Sequence, residues 1–259
     1  MEGLEVDVRI VEPEYAQPYR TFLNDILSLG DVIGREKYGE EKWHKMLYPS
    51  EEKLRIKNPP RSYGSRLEID AATYSWDDLQ RNKVLQPIGK FDEDDPIKYY
   101  LNGVALTANG LIETADGNLV FHYKRGGAKQ GSIHTFGGYV TKEDINIGGI
   151  REAVLRELEE KEEVGLKREE MKATALFGTP NKKPSILWDF GTGAIYCIVK
   201  TSLSSNEIQE RVNSIPEKGE SLVKNLYVIP LDNIKNLQTE KNVHPQTKQV
   251  VPTIIEMYE

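Results

Sequence analysis

The segment Ile150 to Leu166, IREAVLRELEEKEEVGL, constrains this chain more than any other stretch. At about 100° per residue, Ile150, Val154 and Leu158 fall on one face, the stripe that a helix buries against a sheet. The spacing predicts a helix over 149–164. The rest of that helix is crowded with charge: five glutamates, one arginine and one lysine stand between Arg156 and Glu163. Left alone, such a crowd repels itself. Glu157 and Glu160 lie three residues apart, on one side and beside the apolar stripe, so they sit at the edge of a core, where a cleft can form. Hard carboxylate oxygens suit Mg²⁺, with Mn²⁺ as its substitute. A carboxylate-held Mg²⁺ can bridge phosphate oxygens. Arg156 is placed to pair with neighbouring carboxylates and fix their rotamers.

Strand signals surround this helix. Val6 to Val11 and Arg66 to Tyr74 alternate as strands do. Leu101 to Thr107, Leu111 to Thr114 and Leu119 to Tyr123 read the same way, with Asp116-Gly117 as the hairpin turn between the last two. Later strands are expected near 172–177, 185–200 and 224–229, and helices near 206–213, 231–237 and 244–258, the last interrupted by Pro252. An early helix is expected over Tyr19 to Leu29, stopped by Gly30 and Gly34, and a short one from Trp76, capped by Ser75. The acidic run Phe91 to Pro96 marks a boundary, dividing the chain into an accessory α+β region at 1–97 and a regular domain at 98–259. Strands, one glutamate-rich helix, more strands and a terminal helix make an α+β chain or a three-layer sandwich.

Composition narrows the partners. Forty-one acidic against 34 basic residues give a net charge of −7, which argues against a nucleic-acid clamp. No apolar run approaches the roughly 20 residues that span a bilayer, and the acidic N-terminus lacks a signal-like apolar stretch. A cytoplasmic protein is the simplest expectation. The one cysteine, Cys197, excludes an internal disulfide and a multi-cysteine zinc site. The histidines His44, His122, His134 and His244 lack metal-ligand spacing.

The stretch Gly137 to Leu166 resembles a Nudix box, the signature of the Nudix hydrolases. That box runs Gly, five residues, Glu, seven residues, then Arg-Glu-apolar-x-Glu-Glu-x-Gly-apolar. The chain has Gly137-Gly138, then Arg156-Glu157-Leu158, then Glu162-Glu163-Val164-Gly165-Leu166. Leu119 to Arg125 and Leu226 to Asp232 resemble flanking strands of the same family. The resemblance covers 98–259 and implies a Nudix-like α/β/α sandwich behind the accessory region. It also implies Mg²⁺-dependent hydrolysis of a nucleoside diphosphate linked to another moiety, with a nucleotide sugar or ADP-ribose as first guess. A small-molecule diphosphate is then the partner, and residues 1–97 shape its pocket or form a homodimer interface.

The chain departs from the pattern at two places. Counted from Gly138, the loop to Arg156 is four residues longer, and Asp144 stands where the upstream glutamate belongs. Two further residues fall between Arg-Glu-Leu and Glu-Glu-x-Gly. One register then gives Glu157, Glu160 and Lys161; the other gives Glu159, Glu162 and Glu163. A bulge near 159–161 reconciles them, and the expected metal ligands are Glu157, Glu160, Glu162 and Glu163. By the resemblance, Glu220 is the general base that activates a metal-bound water, with Glu157 and Arg156 beside it in the catalytic group. Arg125, Gly138 and Trp188 are the expected substrate contacts, Trp188 by stacking on a base. The alternative is a Nudix-fold nucleotide- or protein-binding module without catalysis, for which the insertion and Lys161 speak. An RNA pyrophosphohydrolase or decapping-type enzyme would want a basic groove.

Overall fold

A computed structural model describes residues 5–11, 17–47, 52–56, 61–63, 65–75, 77, 80–81, 84, 105–123, 131–159, 164–177, 192–214 and 226–258. Within them the chain runs β1 (Glu5–Ile10), α1 (Gln17–Tyr38), α2 (Glu40–Leu47), β2 (Glu52–Ile56), β3 (Arg61–Tyr63) and β4 (Arg66–Ser75). The second part runs β5 (Ala105–Glu113), β6 (Asn118–Tyr123), β7 (Ile133–His134), β8 (Phe136–Tyr139), α3 (Lys142–Ile147), α4 (Ile150–Glu159) and β9 (Met171–Phe177). It ends with β10 (Thr192–Thr201), α5 (Ser205–Ser214), β11 (Leu226–Pro230) and α6 (Pro245–Tyr258). Single 3₁₀ segments lie at Arg168–Glu170 and Leu231–Gln238. The fold is α+β.

The described strands join one mixed sheet along the path β1-β4-β2-β5-β10-β9. β10 runs parallel to β5 with Thr192 opposite Ala105, and antiparallel to β9. β8 and β6 share the other side of β5, at 107–110 and 112–113. β11 and β7 flank β6.

β10 shows why this is a sandwich. Ile195, Cys197 and Val199 face one way, into a core with Val154 and Leu158 of α4 and Ile208 and Val212 of α5. Ala194, Tyr196 and Ile198 face the other way, against Val250, Val251 and Ile254 of α6. A strand buried on both faces reads as an unbroken apolar run and needs a helix layer on each side. Burial pushes the Cys197 thiol up to about 11, as expected of an inert core residue. The α4 layer also holds Leu54, Ile56, Leu67, Ile69 and Ala71 from β2 and β4. The N-terminal strands therefore share a core with the later ones. β2 meets β5 at Arg55–Ala105, and the Leu54 amide donates to the Val140 carbonyl at 2.8 Å.

Several elements differ from expectation. α1 runs straight through Gly30 and Gly34. Glycine serves there as a gap: a Cβ on Gly34 would overlap the Trp43 ring, and one on Gly30 would lie 2.9 Å from the Arg81 Cβ. The two strands expected at 101–107 and 111–114 are one, β5, because Gly110 lies under α4. A Cβ there would come within 2.9 Å of Val154 Cγ1. β4 ends at Ser75, and the described residues Asp77, Gln80, Arg81 and Val84 are helical, as the short helix expected there requires; the Ser75 cap lies outside the described residues. α6 continues through Pro252, held by its buried Val250, Val251, Thr253 and Ile254. The expected strands at 172–177, 224–229 and within 185–200 are present as β9, β11 and β10. The Asp116-Gly117 turn closes β5 onto β6, with Gly117 at φ 74°.

Candidate active site

The candidate site forms where β8 passes under α4. Gly137 and Gly138 lie in β8, opposite Asn109 and Ala108 of β5. The α4 residues Ala153, Val154 and Leu158 are fully buried against this sheet, which fixes the rotation of the helix. The residue before Leu158 then points down at β8. The Glu157 carboxylate rests directly on Gly138, and a Cβ on that glycine would overlap it. Gly138 is thus a seat for a carboxylate. Glu157 keeps only 13 % side-chain exposure, and its Oε1 lies 2.8 Å from Arg156 Nη1.

Arg156 is held in turn. Its Nε donates to Asp144 Oδ1 at 2.9 Å, and its Nη2 donates to Asp144 Oδ2 at 3.2 Å and to the Tyr139 carbonyl at 3.0 Å. This fork-to-fork geometry is the strongest arrangement available to the pair. Asp144 is 2 % exposed. Burial alone would push its carboxyl up, but the Arg156 guanidinium and the Thr141 amide and hydroxyl outweigh burial and hold it below the usual carboxylate range. Thr141 and Asp144 form a reciprocal capping box at the start of α3, with the Thr141 amide donating at 2.8 Å and its hydroxyl at 2.9 Å to Asp144 Oδ2. Thr141 was missed from sequence, yet Thr-x-x-Asp is the signature of such a box.

The remaining described carboxylates of α4 are committed elsewhere. Arg168 pairs with Glu152, and its Nη1 lies 3.7 Å from Glu159, which is 47 % exposed. Of Glu157 and Glu159, only Glu157 faces the sheet.

The end of α4 bears on the insertion. The Leu166 amide donates to the Leu158 carbonyl at 3.0 Å. Eight residues of straight α-helix rise about 12 Å, so Leu166 has turned back onto the last turn of α4. Val164 and Leu166 return to the core, and Gly165 turns the chain at φ 65°, in the left-handed region that favours glycine. Residues 160–163, which contain Glu160, Glu162 and Glu163, lie outside the described residues, as do Arg125, Trp188 and Glu220. The expected bulge lies among them. Among the described residues there is no group of three or more histidine, cysteine, aspartate or glutamate side chains that could hold a metal ion. The donor present, the Glu157 carboxylate seated on Gly138, is a hard oxygen ligand of the kind that fits Mg²⁺ or Mn²⁺.

An open cavity of about 710 Å³ adjoins the network. Thr141, Asp144 and Arg156 line it from one side, Lys142 from α3, and Glu52 and Lys53 from the N-terminal strand β2. No described helix is long and apolar enough to cross a membrane.

No protein-family model matches the sequence, and no curated protein matches it. Among solved structures, the chain is similar to a Nudix hydrolase from M. smegmatis, RenU. The identity is 11 %, over 60 % of this chain and 85 % of that one, with a TM-score of 0.41. A MutT protein from Methanosarcina mazei Go1 is similar at 13 % identity, over 60 % of this chain and 96 % of that one, with a TM-score of 0.40. A bifunctional NMN adenylyltransferase/ADP ribose pyrophosphatase from Francisella tularensis is similar at 17 % identity, over 69 % of this chain, with a TM-score of 0.41. This chain spans 46 % of the length of that last protein.

Proposed function

We propose that this protein hydrolyses the diphosphate bond of a nucleoside diphosphate linked to another moiety, with Mg²⁺ or Mn²⁺ held on α4 and the residues that follow it. One observation carries the reading: the Glu157 carboxylate seated on Gly138 and clamped by Arg156, which Asp144 orients. A carboxylate held in one place by its glycine seat and its arginine is positioned in advance for a cation. Glu157 is the first metal ligand, with Glu160 and either Glu162 or Glu163 completing the set. When bound, the metal neutralises charge on the diphosphate oxygens. Arg156 holds Glu157 in one rotamer. Glu220 accepts the proton of the attacking water. Arg125 binds the diphosphate, Gly138 acts through the Glu157 carboxylate that it seats, and Trp188 stacks on the base. A nucleotide sugar or ADP-ribose is the first substrate to try, because the loops are long.

We divide the chain at 97, with 1–97 as an accessory region that shapes the pocket. The placement of Glu52 and Lys53 on the wall of the cavity beside Arg156 supports that role.

A second reading, a binding module without turnover, is favoured by the return of Leu166 to the Leu158 carbonyl just past the end of α4. Hydrolysis of a panel of nucleoside diphosphate derivatives with Mg²⁺ separates the two. Turnover that Glu157→Gln lowers by 100-fold or so supports the enzyme. Turnover indifferent to Glu157→Gln removes that carboxylate from the mechanism, and metal-dependent binding without turnover supports the module.

A further inference from the structure

Three of the four histidines converge from separate segments of the chain. His122 of β6 and His134 of β7 lie opposite each other, with ring centroids 5.9 Å apart. His134 stacks on His244 at 4.1 Å and 24°. His244 is 7 % exposed and immediately precedes α6, whose first residue is Pro245. It therefore stands at the N-cap, with proline at the first helical position, where its missing N–H costs nothing.

The bonding fixes what this end of α6 requires. The Gln246 amide donates to His244 Nδ1 at 3.3 Å, so that nitrogen must be an acceptor and the ring neutral. This is the role a serine or aspartate oxygen plays at an ordinary N-cap. The second ring reaches the same turn, with His134 Nδ1 2.8 Å from the buried Thr247 hydroxyl. The backbone pins the turn as well: the His244 amide donates to the Ile133 carbonyl at 2.9 Å, and the Ile133 amide to the Asn242 carbonyl at 2.7 Å.

We propose that His244 is a pH-sensitive cap, and that acidification through the ordinary histidine range releases the first turn of α6 from β7. Three effects share one sign. A proton on Nδ1 turns the acceptor into a donor facing another donor. It places a cation at the positive end of the helix dipole. It also places that cation against a second imidazole 4.1 Å away, which resists a charge of its own. Among the described residues, the titratable groups brought to the pair by the packed elements are His134 from β7 and His122 beyond it on β6. On α6 itself the nearest charge is Lys248, one turn along and exposed, which adds to the same sign. In the preceding turn stand exposed Lys241 and half-buried Glu240, whose charge is felt by Tyr227. α6 forms one outer layer of the sandwich, so the first turn is where that layer begins to lift.

The sign follows from the neutral form being the one the folded turn needs. The contribution is present in full above the unfolded histidine value of about 6.5 and is lost as pH falls below it. The test is amide hydrogen exchange of the full-length protein, corrected for intrinsic rates, with imidazole NMR signals followed alongside. From pH 7.5 to pH 5.5, exchange at Gln246 to Lys248 should rise at least fivefold, the equivalent of one lost cap of about 1 kcal/mol, while β5 and β10 stay protected. His244→Asn supplies a cap that does not titrate and should abolish that rise. His244→Ala should exchange fast at both pH values. A wild type whose first turn is equally protected at both, or a His244→Asn variant as acid-sensitive as wild type, overturns the proposal.

Discussion

At the scale of single residues, the site is a relay of contacts in which each group fixes the next: Thr141, Asp144, Arg156, Glu157. Asp144 is its weak point because it is the most buried charge. Asp144→Ala would leave Arg156 without its fork partner, and removing one member of a largely buried pair costs about 3 kcal/mol. Urea unfolding should show that loss, and a cost under about 1 kcal/mol would mean that the pair is dispensable. The folded carboxyl is held below its ordinary value, so its contribution is complete above about pH 4 and disappears as pH falls further. Glu170 behaves alike. Its two bonds from Arg211 hold it at about 2 against an unfolded 4.5, so the stability it lends is lost between those values. Glu170→Gln should flatten that part of an acid-unfolding profile; an unchanged profile would remove the pair from the acid response. The sequence shows Asp144 and Arg156 as positions in a spacing pattern. It does not show that they touch, because they stand twelve positions apart, with loop and helix between them.

At the scale of elements, what was legible and what was not follow from range. β1, β4, β6 and β11 were readable because alternation is local. The identity of a glycine as breaker or as gap was not, because it depends on what another element brings within 3 Å. Gly34 and Gly110 are both of the second kind. In an isolated helix, Gly34→Ala would add about 1 kcal/mol of stability. Here it should destabilise by about 1–3 kcal/mol, because the new methyl must displace the buried Trp43 ring. Thermal melts of the two proteins give the sign directly, and a higher melting temperature for the alanine variant would contradict the close packing of α1 on α2. The two-residue insertion after Leu158 was visible in the sequence. Its consequence, the return of Leu166 to the Leu158 carbonyl, needed the structure, since a hydrogen bond across eight residues belongs to no regular helix.

At the scale of the whole molecule, the acidic run at 91–96 suggested two separable parts, while β2 and β4 contribute Leu54, Ile56, Leu67 and Ile69 to the core that α4 covers. The two parts should therefore unfold in one calorimetric transition; two well-separated transitions would show that the shared core couples them weakly. The central claim is that Glu157 is held ready for a cation. Electron paramagnetic resonance of Mn²⁺ titrated into the wild type and into Glu157→Gln tests it most directly. The expected result is stoichiometric binding in the wild type and an affinity about 10- to 100-fold weaker in the variant. Equal Mn²⁺ affinity in both proteins, or no binding in either, would contradict it.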